Sequence, residues 1–257
     1  MDLNNLCEML CLPGQVREAV LAAREVPGDL LADLTRRGRG QGAYEKLKAL
    51  CTPENRGLDM LAFMLRAALL TWENYQRAGL PRQLFLDTMG CFPRFVGEHL
   101  ASFGCYGFDR GFWAHRQLSM VLFRVGELEY ELLDGEISMH IPSDARLDIP
   151  ACADSLARFR QMLPDRAEDP IYVESWLLSP ALRELLGEGS RILAFQHCFT
   201  CESWNREGSD FLQWVYGRTD IPFDRLPEDT TLRRRMKQHL LKGGKIGEAK
   251  GWLIDFV

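Results

Sequence analysis

Residues 120–142, MVLFRVGELEYELLDGEISMHIP, decide the fold. Their apolar period is two. Val121, Phe123 and Val125 alternate with Leu122 and Arg124, and Leu128, Tyr130 and Leu132 with Glu127, Glu129 and Glu131. Ile137, Met139 and Ile141 alternate with Ser138 and His140. That period places alternate side chains on opposite faces of a pleated strand. Gly126 and Asp134-Gly135 supply turn residues, so the stretch predicts a three-stranded antiparallel meander.

Upstream, the period changes. Residues 1–118 read almost entirely as helix, punctuated by Pro13, Pro27, Pro53, Pro81 and several glycines. In residues 58–78 Leu58, Leu61, Leu65, Leu69 and Trp72 recur at spacings of three and four, and Gly79-Leu80-Pro81 closes the helix. A second long helix is expected from Arg82 to about Ser102, kinked or broken by Pro93.

Downstream, a helix at 149–162 is followed by a strand at 171–178, a short helix at 180–186 and another strand at 191–200. Helices at 209–216 and 231–241 come next, and the apolar segment 252–257 is placed as the strand that closes the sheet. A meander followed by alternating strands and helices predicts a mixed sheet flanked by helices. The fold class is therefore α+β, with an all-helical domain over residues 1–118 and a mixed-sheet domain over 119–257.

Composition bounds the function. The chain has 257 residues, 46% hydrophobic and 26% charged, enough apolar surface to offset the entropy of ordering. A net charge of −5 gives no global attraction to nucleic acid or to an anionic membrane. Residues 231–251 nevertheless carry seven Lys/Arg against Glu248 alone, so that stretch is +6 and the remainder −11. The opening MDLNNLCEML has neither a basic start nor an unbroken apolar run, and the apolar stretch around Leu58–Trp72 is interrupted by Asp59 and Arg66. The chain is thus expected in the cytoplasm, with its eight cysteines reduced. Cys198 and Cys201 form a CxxC inside an apolar, strand-like run. With no second pair to complete a metal site, they read as structural, and no metal is expected.

Several residues carry possible chemistry. Ser179 is a good N-cap and Pro180 a good first helical residue. The junction Leu177-Leu178-Ser179-Pro180 is therefore expected to open amides and a positive dipole end towards an anion such as a pyrophosphate. The plain alternative is an ordinary capped helix. Glu174 interrupts the apolar run IYVESWLL beside Ser175 and Trp176. Held among such groups, a carboxylate has its pKa raised and suits a general base; facing solvent, it does not. His140 lies opposite Ile137, Met139 and Ile141 at a strand end, as a base, a substrate contact or a structural histidine. Gln196 and His197 occupy successive positions of the expected strand 191–200, so only one can face a cleft beside Glu174. In 231–241, Leu232, Met236 and Leu240 form a stripe that leaves Arg233, Arg234, Arg235 and Lys237 on other faces. That is either a docked helix with a solvated side or a seat for a phosphorylated cofactor. No GxGxxG, GxSxG or Walker spacing occurs.

The segments LFRVGELEYEL, MHIPSDARLDIPAC, ESWLLSPALRELLGEGSRILAFQHCF and SDFLQWVYG resemble the C-terminal domain of a bacterial two-domain family of GNAT-like acyltransferases. The helical first half is similar to that family's N-terminal domain. The resemblance implies a GNAT-like sheet, acetyl-CoA or another acyl-CoA as small-molecule donor, and direct transfer to an amine acceptor. It implies Glu174 or His140 as the base and Ser175, or its strand's backbone, as the group that polarises the thioester carbonyl. Trp176, Leu177, Leu178, Ser179, Pro180 and Gln196 would surround the cofactor. The family's loop Q/R-x-x-G-x-G/A is missing from the junction LLSPALRELL, where it would hold the pyrophosphate. A GNAT-shaped binding module without catalysis is therefore the alternative.

Overall fold

Helix α5, Leu58–Arg77, is buried on almost every side along its first three turns, which makes it the axis of the helical region. It follows α1 (Leu3–Met9), α2 (Gly14–Ala22), α3 (Gly28–Leu34) and α4 (Gly40–Lys48). Its start is fixed by Asp59, whose carboxylate accepts from the Thr52 amide at 3.0 Å, the Thr52 hydroxyl at 2.8 Å and Asn55 Nδ2 at 2.9 Å. The preceding Gly57 has φ +78°, and a side chain there would collide with the Phe108 carbonyl. The expected long helix after Pro81 is two helices, α6 (Arg82–Met89) and α7 (Cys91–Phe103). The break falls at Gly90, not at Pro93, because proline excludes a helical bond to the carbonyl four residues earlier. Pro93 itself sits in the first turn of α7, where its missing N–H costs nothing. Helix α8 (Gly111–Leu118) completes the region.

The structure is a computed structural model describing residues 1–256, and it divides into two units, Met1–Arg124 and Val125–Val257. The sheet is six-stranded and mixed, of order β1-β2-β3-β4-β6-β5, and all of it but the start of its first strand lies in the second unit. The expected meander is present as β1 (Leu122–Val125), β2 (Leu128–Leu132) and β3 (Ile137–His140). Gly126 and Gly135 take the left-handed conformations that their turns require. Helix α9 (Ile149–Met162) then crosses over to β4 (Ile171–Ser175), which lies parallel to β3. After α10 (Leu182–Leu185) and α11 (Arg191–His197) come β5 (Phe199–Asn205), α12 (Asp210–Val215), α13 (Thr231–Leu241) and β6 (Glu248–Leu253). No helix among the described residues is long and apolar enough to cross a membrane.

Three expectations are corrected here. Residues 191–200 are not a strand: 191–197 form α11, and the strand begins at Phe199. A short apolar run cannot distinguish buried helix from strand, and Ser190 before it acts as a helix boundary. The strand 171–178 ends at Ser175, where a 3₁₀ turn over Trp176–Leu178 begins, and the following helix is only Leu182–Leu185. The closing strand starts at Glu248 and inserts between β4 and β5, both antiparallel to it; Val257 lies outside the described residues.

Register assigns the two faces of the sheet. Tyr130 lies opposite Met139, and its ring stacks on Phe159 of α9 with centroids 4.1 Å apart, so Met139, Ile171 and Val173 share the helix-covered face. The Tyr130 hydroxyl meets Ser155 Oγ at 2.9 Å, and burial drives its pKa up. On the other face lie Glu129, Glu131, Ser138, His140, Tyr172, Glu174, Lys250, Trp252 and Thr200.

Candidate active site

The parallel pair β3 and β4 stays together for only two residue pairs, Ile137–Ile171 and Ser138–Tyr172. A parallel ladder advances by alternating bonds: Ile137 N–H donates to Pro170 at 3.0 Å, and the series proceeds through Tyr172. Its next member would join Glu174 N–H to Met139 C=O. The ladder stops before it, so these two groups face an opening between the strands. Such openings, beyond the carboxyl ends of neighbouring parallel strands, are where open α/β sheets take ligands.

His140 and Glu174 flank this opening. Each stands two residues beyond the last pair, Ser138–Tyr172, so both project onto the same face. His140 Nε2 lies 2.9 Å from Glu131 Oε2 across the β2–β3 hairpin, with both side chains largely buried. Such a carboxylate fixes the imidazole's orientation. Glu174, in contrast, is exposed. Of the two placements weighed for Glu174 the structure has the solvent-facing one: alternation points Ile171 and Val173 into the core and turns Glu174 away from them.

The next junction is closed. Ser175 Oγ accepts from the Leu177 amide at 3.1 Å, starting the 3₁₀ turn. Ser179 is fully buried; its hydroxyl donates to the Ile246 carbonyl and accepts from the Ala181 amide at 3.3 Å. The amides of Ser179, Leu182, Arg183 and Glu184 bond to carbonyls one turn back. Leu177 and Leu178 are buried and Trp176 half-buried. Gln196, which sits on α11 and not on a strand, ties the turn from outside. Its amide donates to Leu177 O at 2.8 Å and Ser179 O at 3.0 Å, while its oxygen accepts from Arg183 Nε at 3.2 Å. The open helix start expected at Ser179-Pro180 does not exist, because its donors are spent inside the fold.

Topology moves the helix start of interest to α9, the crossover that leaves β3. Its N-cap is Asp148, whose side chain makes no capping bond. Arg146 stands two residues before it, and Arg191 Nη1 bonds Arg146 O at 3.0 Å. The expected stripe of α13 is inward, with Met236 and Leu240 buried. Its cations are engaged locally: Arg233 with Asp229, Arg234 with Glu228 O, Arg235 with Leu185 O, and Lys237 with Glu228 at 2.7 Å.

One further cluster was not foreseen. On the face of Glu174, Lys250 Nζ lies 4.6 Å from the Tyr172 ring centre and 4.7 Å from that of Trp252. Glu202 accepts from it at 3.2 Å and from Trp252 Nε1 at 3.1 Å. The hydrogen bond to Glu202 raises the Lys250 pKa, against the opposing pull of desolvation. The register irregularity between Cys201 and Ser203 leaves Glu202 as the extra residue of β5.

With this geometry in place, comparison with known proteins is decisive. Residues 1–120 match the N-acyltransferase N-terminal domain, and residues 100–253 match the GNAT-like C-terminal domain. The chain belongs to the two-domain GNAT-like N-acyltransferase family. Solved structures share its fold. An acyltransferase in complex with decanoyl-CoA and teicoplanin superposes with TM-score 0.81 at 22% identity, over 97% of this chain and 86% of that one. An acyltransferase in complex with decanoyl-CoA gives 0.79 at 23%, over 98% and 86%. A search of curated proteins finds no match. Within the family's sheet, the β3–α9 turn IPSDARLD has no glycine, and Leu147 adopts φ +52° immediately before the helix cap. A leucine therefore holds a left-handed position that favours glycine.

Proposed function

We propose that this protein is an N-acyltransferase that moves an acyl group from acyl-CoA directly to an amine. The carrying observation is the opening beyond Ser138–Tyr172, where Met139 C=O and Glu174 N–H have lost their strand partners. The pantetheine arm is an extended chain with two amides, and such a chain can continue an interrupted ladder by strand-like pairing. The solved relatives in complex with decanoyl-CoA, with CoA, and with decanoyl-CoA and teicoplanin support an acyl-CoA donor and a small-molecule amine acceptor.

The roles follow from the two faces. The start of α9, with Arg146 and Arg191 beside it, attracts the pyrophosphate on the helix-covered side. The acceptor approaches from the face of His140 and Glu174. His140, oriented by Glu131, takes the proton from the attacking amine, and Glu131 stabilises the imidazolium that results. The Glu174 amide donates to the thioester oxygen as it gains charge. The amine nitrogen bonds to the thioester carbon, the carbon–sulfur bond breaks, and the departing thiolate takes the proton that His140 removed. The Glu174 side chain favours the approach of a cationic amine. Ser175, Trp176, Leu177, Leu178, Ser179, Pro180 and Gln196 hold the end of β4 in place and support the site from behind.

Calorimetric titration with acetyl-CoA and with longer acyl-CoA thioesters tests this reading. Micromolar binding of at least one thioester, with thiol release when an amine is added, is the expected result. If none binds, the protein is a GNAT-shaped module and not an enzyme.

A further inference from the structure

The cluster around Lys250 has the construction of an alkylammonium receptor. Two aromatic faces lie within 5 Å of the nitrogen, and the Glu202 carboxylate accepts from it. Ring faces attract a cation through their quadrupole, and methylenes pack against them without loss. The rings of Tyr172 and Trp252 are 5.4 Å apart at 60°, so they form two walls around the ammonium. Glu202 is held in place by the Trp252 indole as well as by the lysine. Removing Lys250 would therefore leave a preformed box.

Its position is informative. Lys250 lies directly opposite Glu174 in the β4–β6 register, on the face from which the acceptor approaches. The walls remain half-exposed and Glu202 exposed in the whole chain, so solvent reaches the box. An amine near neutral pH arrives as an ammonium, which needs a seat before it can surrender its proton.

We propose that the Tyr172–Trp252–Glu202 box is the docking site of the acceptor's ammonium, with Lys250 as its internal occupant until the acceptor displaces it. The inference rests on the acyltransferase reading and adds the acceptor class: an unbranched primary alkylamine, which reproduces the end of a lysine side chain. The four-carbon stem of Lys250 allows its ammonium to swing into solvent when displaced. The bond made at this seat is non-covalent; acyl transfer follows at the opening beside Glu174.

The test measures binding of n-butylammonium by saturation-transfer NMR, without thioester, so that no turnover occurs. Lys250→Ala and Lys250→Ser each empty the box, and both are expected to bind the probe at least tenfold more tightly than the unaltered protein. Adding Glu202→Gln or Trp252→Leu to Lys250→Ala should return affinity to the starting level. The inference is overturned if neither Lys250 variant gains affinity, or if the gain survives both second substitutions. Failure of the acyltransferase reading would show separately, as absence of thioester binding.

Discussion

Two strand-to-helix junctions in the sheet unit look alike in outline and behave oppositely. The junction after β4, Ser175–Leu182, carries every local signal of an anion seat: a serine, a proline and a helical pattern. All the amides that matter there are bonded internally, and Gln196 locks the turn from a neighbouring helix. The junction after β3, His140–Ile149, offers an acidic cap, no glycine and a leucine in a left-handed conformation. Yet it lies where two parallel strands part, so its groups face an opening. The difference teaches that strand order decides where a ligand can enter, and capping residues decide only how a helix begins.

The contrast breaks first at His140. His140→Gln removes the proposed base at the open junction while keeping a polar side chain of similar reach. Turnover should fall by ~10²–10⁴-fold, with acyl-CoA affinity unchanged by calorimetry. A variant with full turnover would move the base elsewhere. The closed junction is tested by Gln196→Leu, which strips two buried carbonyls of their donor. Stability should drop by ~2–4 kcal/mol in a denaturant titration, while thioester affinity measured well below the new midpoint stays the same. A large affinity loss there would mean that the closed junction touches the cofactor after all. The smallest effect sharpens the comparison. Asp148→Asn removes a negative charge from the start of α9, where the side chain makes no capping bond. Acyl-CoA should bind a few-fold more tightly, the equivalent of ~0.3–1 kcal/mol of helix-terminus electrostatics, and the gain should shrink as salt rises.

Much of the fold was legible because its signals are local. The period of two in 120–142 marks three strands and the three-and-four spacing in 58–78 one helix, and all four elements stand where the spacing puts them. RILAFQH misled because four apolar residues fit either a strand or a short helix; Ser190 before it and His197 at its end were the available helix signals. The candidate site was legible in its parts and not in its assembly. His140 and Glu174 could be named from the sequence, but only the parallel pairing of β3 with β4 brings them to one opening. Glu131 was within reach: the Leu133–Glu136 turn sets Glu131 opposite Ser138, diagonal to His140. Lys250 and Glu202 were not, because their meeting depends on β6 inserting beside β4 and on an extra residue in β5.

That extra residue has a consequence for solubility. Strand β5 is the last in the sheet, so its outer backbone groups form a row that another chain could join. The bulge between Cys201 and Ser203 bends this row out of line, and Glu202 places a charge at the bend. Deleting one residue there should straighten the border into a template for self-association, so the irregularity that supplies a carboxylate to the lysine box also disfavours edge-to-edge pairing.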